Sequence, residues 1–410
     1  MNIATVRDGL TSSSDQKFQF PIHYAFDYLH GGSKYLHLPY LKLNDYVQSQ
    51  VFLSPSLTKT SDNKQAIQRG DNAISLNPLN AKLPWPSGVL TCRQSKHWQL
   101  TLDVTRQFLK AFAEYNSTQT LSTSGRSIAE IAVKELESKI EEGWAKFPVY
   151  LFSEADEQRT KLLAAVNVFI FVFDDFWEMH DISSFVSVQK AFIQRMQPEA
   201  CNDSTVKSFL ENMIDNTIME ILQIDKLNGN NSGRDMIELM IRFFNRPPPP
   251  STYRNIEEFL LYRHEDAAVP YVLGCTKFSL NSSINLESPG LTKYIRLVKD
   301  HVSIANDLGS WEKEKAAYDA GHVLYLINTV QVVKELFSLS SYDAAVTVTE
   351  GLQLQRECEI DEEIQRLMSE DALTADEWRF IDATLHVLSG NVLVSTIMSR
   401  YGGEQSRLSS

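Results

Sequence analysis

From about Lys96 onward, apolar residues recur at helical spacing and no alternating strand series interrupts them, which restricts this chain to an all-α fold. Several helix starts are written in the sequence. Ser127 with Glu130 and Thr374 with Glu377 form capping boxes, and Asn255 with Glu258 is a looser version of the same pattern. Behind Ser127, Ile128, Ala132, Leu136 and Ile140 make an apolar stripe; behind Thr374, Trp378, Ile381, Leu385 and Leu388 make another. The run Pro247 to Pro250 must be a loop, because proline lacks the amide donor and clashes with the preceding turn. The expected architecture is a single large helical bundle domain over residues 96–405. An irregular extension, 1–95, punctuated by Pro55, Pro78, Pro84 and Pro86, precedes it, and a polar tail, 406–410, follows.

Composition works by exclusion. With 43% hydrophobic and 22% charged residues, 410 residues can bury an ample core, and a net charge of -13 without any Lys/Arg-rich run argues against nucleic acid as a partner. Cys92, Cys201, Cys275 and Cys358 are far apart and form no metal-knuckle spacing, as expected for reduced thiols. Met1 to Gln19 is polar and serine-rich, without the apolar centre of a signal peptide. The longest apolar stretch, Val168 to Phe173, falls far short of the ~20 residues that cross a bilayer. A soluble, cytoplasmic chain without stable membrane insertion is expected. His23, His30 and His37 recur at every seventh position, but Gly31-Gly32 breaks any helix that would carry all three, and Gly31-Gly32-Ser33-Lys34 lacks phosphate-loop spacing.

Two stretches carry chemistry. Asn306, Ser310 and Glu314 are four residues apart, so a helix would set an amide, a hydroxyl and a carboxylate on one face as an oxygen-bearing ladder suited to magnesium. Asp174-Asp175-Phe176-Trp177-Glu178 follows directly on an apolar, aromatic run; on a helix Asp174 and Glu178 share a face, with Ile170 and Phe171 one turn back. Acid at one end and grease below is the shape of a pocket for a lipid with a charged head. Pro270, four residues beyond Asp266, must disrupt the helix around Ala267.

Together these residues resemble the class I terpene cyclases, in particular the microbial aristolochene-synthase-like sesquiterpene cyclases, over about residues 96–405. Asp174, Asp175 and Glu178 resemble the family's first metal motif, and Asn306, Ser310 and Glu314 its second. Arg263 resembles the family's diphosphate-sensing arginine, Asp266 its linker, and Ala267 the residue whose carbonyl faces the ionising carbon. Lys313 and the pair Arg400-Tyr401 resemble further diphosphate ligands. The resemblance implies the class I terpenoid synthase fold, three Mg²⁺ ions, and a lyase that ionises and cyclises a linear prenyl diphosphate in isoprenoid secondary metabolism. Farnesyl diphosphate is the expected substrate, giving a sesquiterpene hydrocarbon or alcohol.

Geranylgeranyl diphosphate is the alternative substrate, and the family leaves a homodimer open. A chain-elongating prenyl diphosphate synthase would carry a second Asp-rich motif where this chain has Asn-Ser-Glu, and a non-catalytic helical interaction protein would not need both motifs intact. Phe171, Trp177, Trp311 and Ile170 are candidates for the pocket wall, with Tyr401 beside them. Val394 stands where many relatives have an aromatic, and the extension does not resemble the second domain of plant cyclases.

Overall fold

The computed structural model describes residues 72–76, 85–89, 92–115, 126–138, 140–180, 182–197, 207–370, 372–398 and 401. The three histidines of the extension, the glycine-rich stretch between them, Cys201, Arg400 and the tail lie outside these residues. Thirteen α-helices in chain order make up most of the described structure. They are α1 (Trp98–Ala113), α2 (Ile128–Glu137), α3 (Lys146–Leu151), α4 (Glu157–Met179), α5 (Ile182–Met196), α6 (Phe209–Asn228), α7 (Ser232–Phe244), α8 (Ile256–Asp266), α9 (Val269–Ser279), α10 (Thr292–Asp319), α11 (Thr329–Leu336), α12 (Tyr342–Glu370) and α13 (Ala375–Ile397).

The capping boxes at Ser127 and Thr374 form, each hydroxyl accepting the amide of the glutamate three residues on. Ser208 with Glu211 makes another, at the start of α6. At α8, Asn255 caps Glu258, but that glutamate reaches back to the Arg254 amide, so the box is open there.

The irregular extension departs from expectation in one place. Ala73–Leu76 (β1) and Cys92–Ser95 (β2) pair antiparallel, with Ala73 opposite Ser95. Four-residue strands are too short to show a readable alternation. They are held tertiarily: Arg93 pairs with Glu154, and Gln94 and Ser95 are fully buried.

The core is organised around α13, buried without interruption from Phe380 to Val394 and packed on α3, α9, α10 and β2. This helix is long and apolar enough to cross a membrane, yet 89% of its apolar window is buried inside the bundle. Burial on every side explains why its apolar residues are not confined to one face. Gly390 lets α3 approach it: a Cβ there would lie 2.4 Å from the Tyr150 carbonyl oxygen. Lys146 Nζ then donates to the Ile397 carbonyl at 2.9 Å, satisfying an end of α13 that no intrahelical amide can reach. Beyond α13, Tyr401 meets Asn306 in the middle of α10.

Candidate active site

α4 delivers the first acidic motif. Its N-cap Asp156 starts a 23-residue helix, buried nearly throughout from Leu162 to Phe173, which emerges from the core at Asp174, Asp175 and Glu178, all half-buried. α10 delivers the second. Ser310 is buried and its hydroxyl donates to the Asn306 carbonyl at 2.8 Å, while Asn306, Lys313 and Glu314 are half-buried.

Between them lies the break between α8 and α9. α8 ends at Asp266, Ala267 caps it, and Ala268 adopts the left-handed region, φ 54°, before α9 begins with Pro270 in its first turn. Pro270 cannot donate to Asp266, and among the described residues no backbone amide donates to the Ala267 carbonyl. The expected disruption therefore occurs, and its sharpness comes from a left-handed alanine.

A chain of ion pairs runs across this seam. Arg246 Nη2 donates to Asp174 Oδ1 at 2.6 Å and its Nε to Asp266 Oδ1 at 3.2 Å. Asp266 Oδ2 accepts from Arg263, which also donates to Asp307 Oδ1 at 2.9 Å and to Asn306 Oδ1 at 3.3 Å. The two oxygen-rich faces are thus joined as Asp174, Arg246, Asp266, Arg263 and Asp307 with Asn306. Tyr401 closes the second face, its hydroxyl accepting from Asn306 Nδ2 at 3.2 Å.

Burial pushes Asp174 from its ordinary 3.8 up to about 7, Arg246 opposing this while Glu178 and Asp266 add to it. Burial likewise raises Glu314 and Asp307, against the pull of Arg263 on both. For Arg263, burial alone would lower the pKa, but Asp307, Asp266 and Glu314 hold it well above the ordinary value. The six carboxylates Asp174, Asp175, Glu178, Asp266, Asp307 and Glu314 outnumber the three cations Arg246, Arg263 and Lys313 among the described residues of the site.

That surplus fits a cation, and the donors are all oxygens. Among the described residues no three carboxylates, histidines or cysteines converge on one point. Two open oxygen faces suit magnesium, which keeps several waters and is shared with phosphate oxygens rather than enclosed by protein.

Of the wall candidates, Phe171 stacks on Trp144 at 5.3 Å and lies tilted against Phe147 at 4.8 Å, and Phe147 meets Tyr401 edge-on at 6.4 Å. Ile170 is buried beneath, in the main core. Trp177 lies over Arg246 and near Tyr325, 6.3 Å between ring centres. Trp311 does not join them. One residue beyond Ser310, it is turned about 100° round the helix and packs with Val330, Val333 and Ala345 against Tyr342, in a separate apolar cluster.

Sequence reasoning missed four residues. Besides Arg246 and Asp307, Asn328 donates to Glu314 Oε2 and to the Asp307 carbonyl, both at 2.9 Å, and Thr329 donates through amide and hydroxyl to Asp307 Oδ2, both at 2.6 Å. The start of α11 thus grips the second motif. An asparagine before a helical run signals a cap, and Asn328 is one, but nothing local shows where its other amide atom points. A groove of about 790 Å³ lies elsewhere, between the start of α8, α10, α11 and α12, and includes no residue of either motif.

The chain is similar to several known proteins. Residues 165–354, which contain both acidic motifs, match the family described as terpene synthase family 2, C-terminal metal binding. Terpene cyclase 6 of Gibberella fujikuroi is 23% identical over 370 residues, 88% of this chain and 94% of that protein. Phomopsene synthase of Phomopsis amygdali is 20% identical over 269 residues, 63% of this chain and 36% of that protein. Aristolochene synthase from Penicillium roqueforti shares the fold, with a TM-score of 0.53 and 15% identity over 71% of this chain and 93% of that one.

An all-α bundle carrying a divalent-metal region of this kind defines the class I terpene cyclases, which are lyases acting on prenyl diphosphates. Residues 165–354 carry the metal-binding region of terpene synthase family 2, and the fold together with the fungal relatives supports a class I terpene cyclase.

Proposed function

We propose that the chain ionises farnesyl diphosphate with the help of Mg²⁺ and cyclises the resulting allylic cation to a sesquiterpene hydrocarbon or alcohol. The observation that carries this reading is the ion-paired chain that sets the Asp174 face and the Asn306 face on either side of Arg263 and the α8–α9 break. Asp174, Asp175 and Glu178 on one side, and Asn306, Ser310 and Glu314 on the other, would hold the metal, three ions in the full complement. When bound, magnesium supplies neutralisation of the phosphate oxygens, which makes the diphosphate a competent leaving group.

This chain's own groups do the rest. Arg263 is fixed by Asp266, Asp307 and Asn306, so its guanidinium is held in one orientation and would donate to a diphosphate, with Lys313, Tyr401 and, as the resemblance implies, Arg400 as further ligands. The Ala267 carbonyl, without a backbone donor, offers a negative dipole to the developing cation. The rings of Phe171, Phe147 and Trp144 exclude water, and cation–π contact with such rings is worth ~2 kcal/mol or more where desolvated.

Residues that hold the shared head group do not measure the tail, and one methylene in an apolar pocket changes discrimination by only ~1–3 kcal/mol. Purified protein with Mg²⁺ is therefore incubated separately with geranyl, farnesyl and geranylgeranyl diphosphates, and extracts are analysed by gas chromatography with mass detection. A cyclic fifteen-carbon product from farnesyl diphosphate supports the reading, and its loss on chelation supports the metal. Preference for geranylgeranyl diphosphate would make the chain a diterpene cyclase. Longer linear diphosphates formed with isopentenyl diphosphate would overturn cyclisation in favour of elongation.

A further inference from the structure

Arg246 stands between the acidic end of α4 and the α8–α9 break. Its side chain is only 2% exposed. Its backbone has little freedom, since α7 ends two residues before it and Pro247 to Pro250 follow. The guanidinium carbon lies 4.2 Å from the centre of the Trp177 ring and 4.0 Å from that of Phe243, so two aromatic faces fix its plane. Within that plane it donates to two carboxylates on different elements, Asp174 Oδ1 and Asp266 Oδ1, while Asp266 uses its other oxygen for Arg263.

We propose that Arg246 is a positioning residue that couples the first acidic motif to Arg263, so that metal and diphosphate bound at the Asp174 face are felt at the Asn306 face. The inference rests on the proposed use of these two faces. Along the chain of pairs three carboxylates, Asp174, Asp266 and Asp307, alternate with two guanidiniums, Arg246 and Arg263, so each guanidinium is shared between two carboxylates. A cation drawing on Asp174 loosens its claim on Arg246; Arg246 then leans on Asp266, and Asp266 sets how firmly Arg263 is held. A lysine keeps the charge but cannot span two carboxylates in one plane, so the coupling belongs to the guanidinium fork.

The test uses inorganic diphosphate with Mg²⁺ as the probe, titrated calorimetrically into the full chain and its variants, beside kcat and KM on the prenyl diphosphate that the wild type turns over. Arg246→Lys is expected to melt near the wild type, to bind magnesium diphosphate at least 10-fold more weakly, and to lose kcat by more than KM rises. Asp174→Asn combined with Arg246→Lys is expected to bind no worse than the weaker single variant, because both break the same link. Wild-type affinity in Arg246→Lys, or losses that add in the double variant, overturns the coupling.

A second measurement leaves Arg246 in place. Adding magnesium diphosphate to the wild type is expected to change tryptophan emission through Trp177, and Trp177→Phe to lose that change; an unaltered change in Trp177→Phe also overturns the proposal. A folded wild type that binds no magnesium diphosphate sinks the proposed function and this inference together. Normal turnover with an indifferent Arg246→Lys sinks only the inference.

Discussion

In Asp174 burial and Arg246 pull in opposite directions, and burial, helped by the neighbouring carboxylates Glu178, Asp266 and Asp175, prevails: the carboxyl rises to about 7 although Arg246 stands 2.6 Å away. The folded protein therefore binds this proton more tightly than the unfolded chain does. The resulting stabilisation is complete below about 4 and is lost as pH rises through about 7. Metal-free protein should melt at a lower temperature at pH 8 than at pH 5.5, and Asp174→Asn should flatten that dependence. Mg²⁺ should stabilise more at pH 8 than at pH 5.5, because it competes with the proton. Melting curves in chelator that coincide for wild type and Asp174→Asn across this range would refute the assignment. At the second face, Asn306→Ala and Glu314→Ala are each expected to reduce kcat by at least about 100-fold with the helical circular dichroism retained; near-normal turnover would remove that face from the chemistry. The acidic residues themselves were legible, because helical spacing alone puts Asp174 with Glu178 and Asn306 with Ser310 and Glu314. Arg246 was not: its partners lie 72 and 20 residues away, and only the folded chain brings them together.

At the scale of elements, most boundaries are local chemistry, which is why Ser127, Thr374 and Pro270 announced theirs. The break after α8 is the exception in detail. Proline removes one hydrogen bond, but the turn is made by Ala268 at φ 54°, a conformation that costs an L-residue roughly 1–2 kcal/mol and that no alanine advertises. Ala268→Gly should relieve that cost against a comparable entropic loss, leaving the melting temperature unchanged or slightly raised. The same substitution at Ala132, inside α2, should cost about 1 kcal/mol. Ala268→Val should be the most damaging, since a branched Cβ crowds the left-handed turn. Denaturant unfolding of the three variants checks the order, and an Ala268→Gly loss equal to that at Ala132 would mean the turn relaxes when altered. Short β1 and β2 were equally hidden, because pairing with each other and the Arg93 tether to Glu154 define them, not their own sequence.

The whole molecule is held by buried polar joints as well as by its core, and one of them ties the segment before the bundle to its interior. Glu357 of α12 is fully buried; it accepts from Ser87 Oγ at 2.7 Å, the Gly88 amide at 2.6 Å and Gln353 Nε2 at 3.3 Å, and it pairs with His301 Nε2 of α10 at 2.9 Å. Trp85 and Val89 are buried on either side, so residues 85–89 are clamped between apolar contacts, the Glu357 carboxylate and Gln353, whose Nε2 also donates to the Pro86 carbonyl at 2.9 Å. Both sequence neighbours of this joint look ordinary: a glutamate on a long polar helix reads as solvent-facing, and Ser87-Gly88 as a loop. Replacing Glu357 by alanine leaves those donors without their acceptor, a loss of about 3–5 kcal/mol for a broken buried network, while neither metal motif touches it. The expected result is a melting temperature lower by several degrees with kcat per folded molecule unchanged at 20 °C. If kcat falls instead while the melting temperature holds, the joint reaches the α10 face through His301, five residues before Asn306, and the bundle transmits strain along that helix rather than confining it to the clamp.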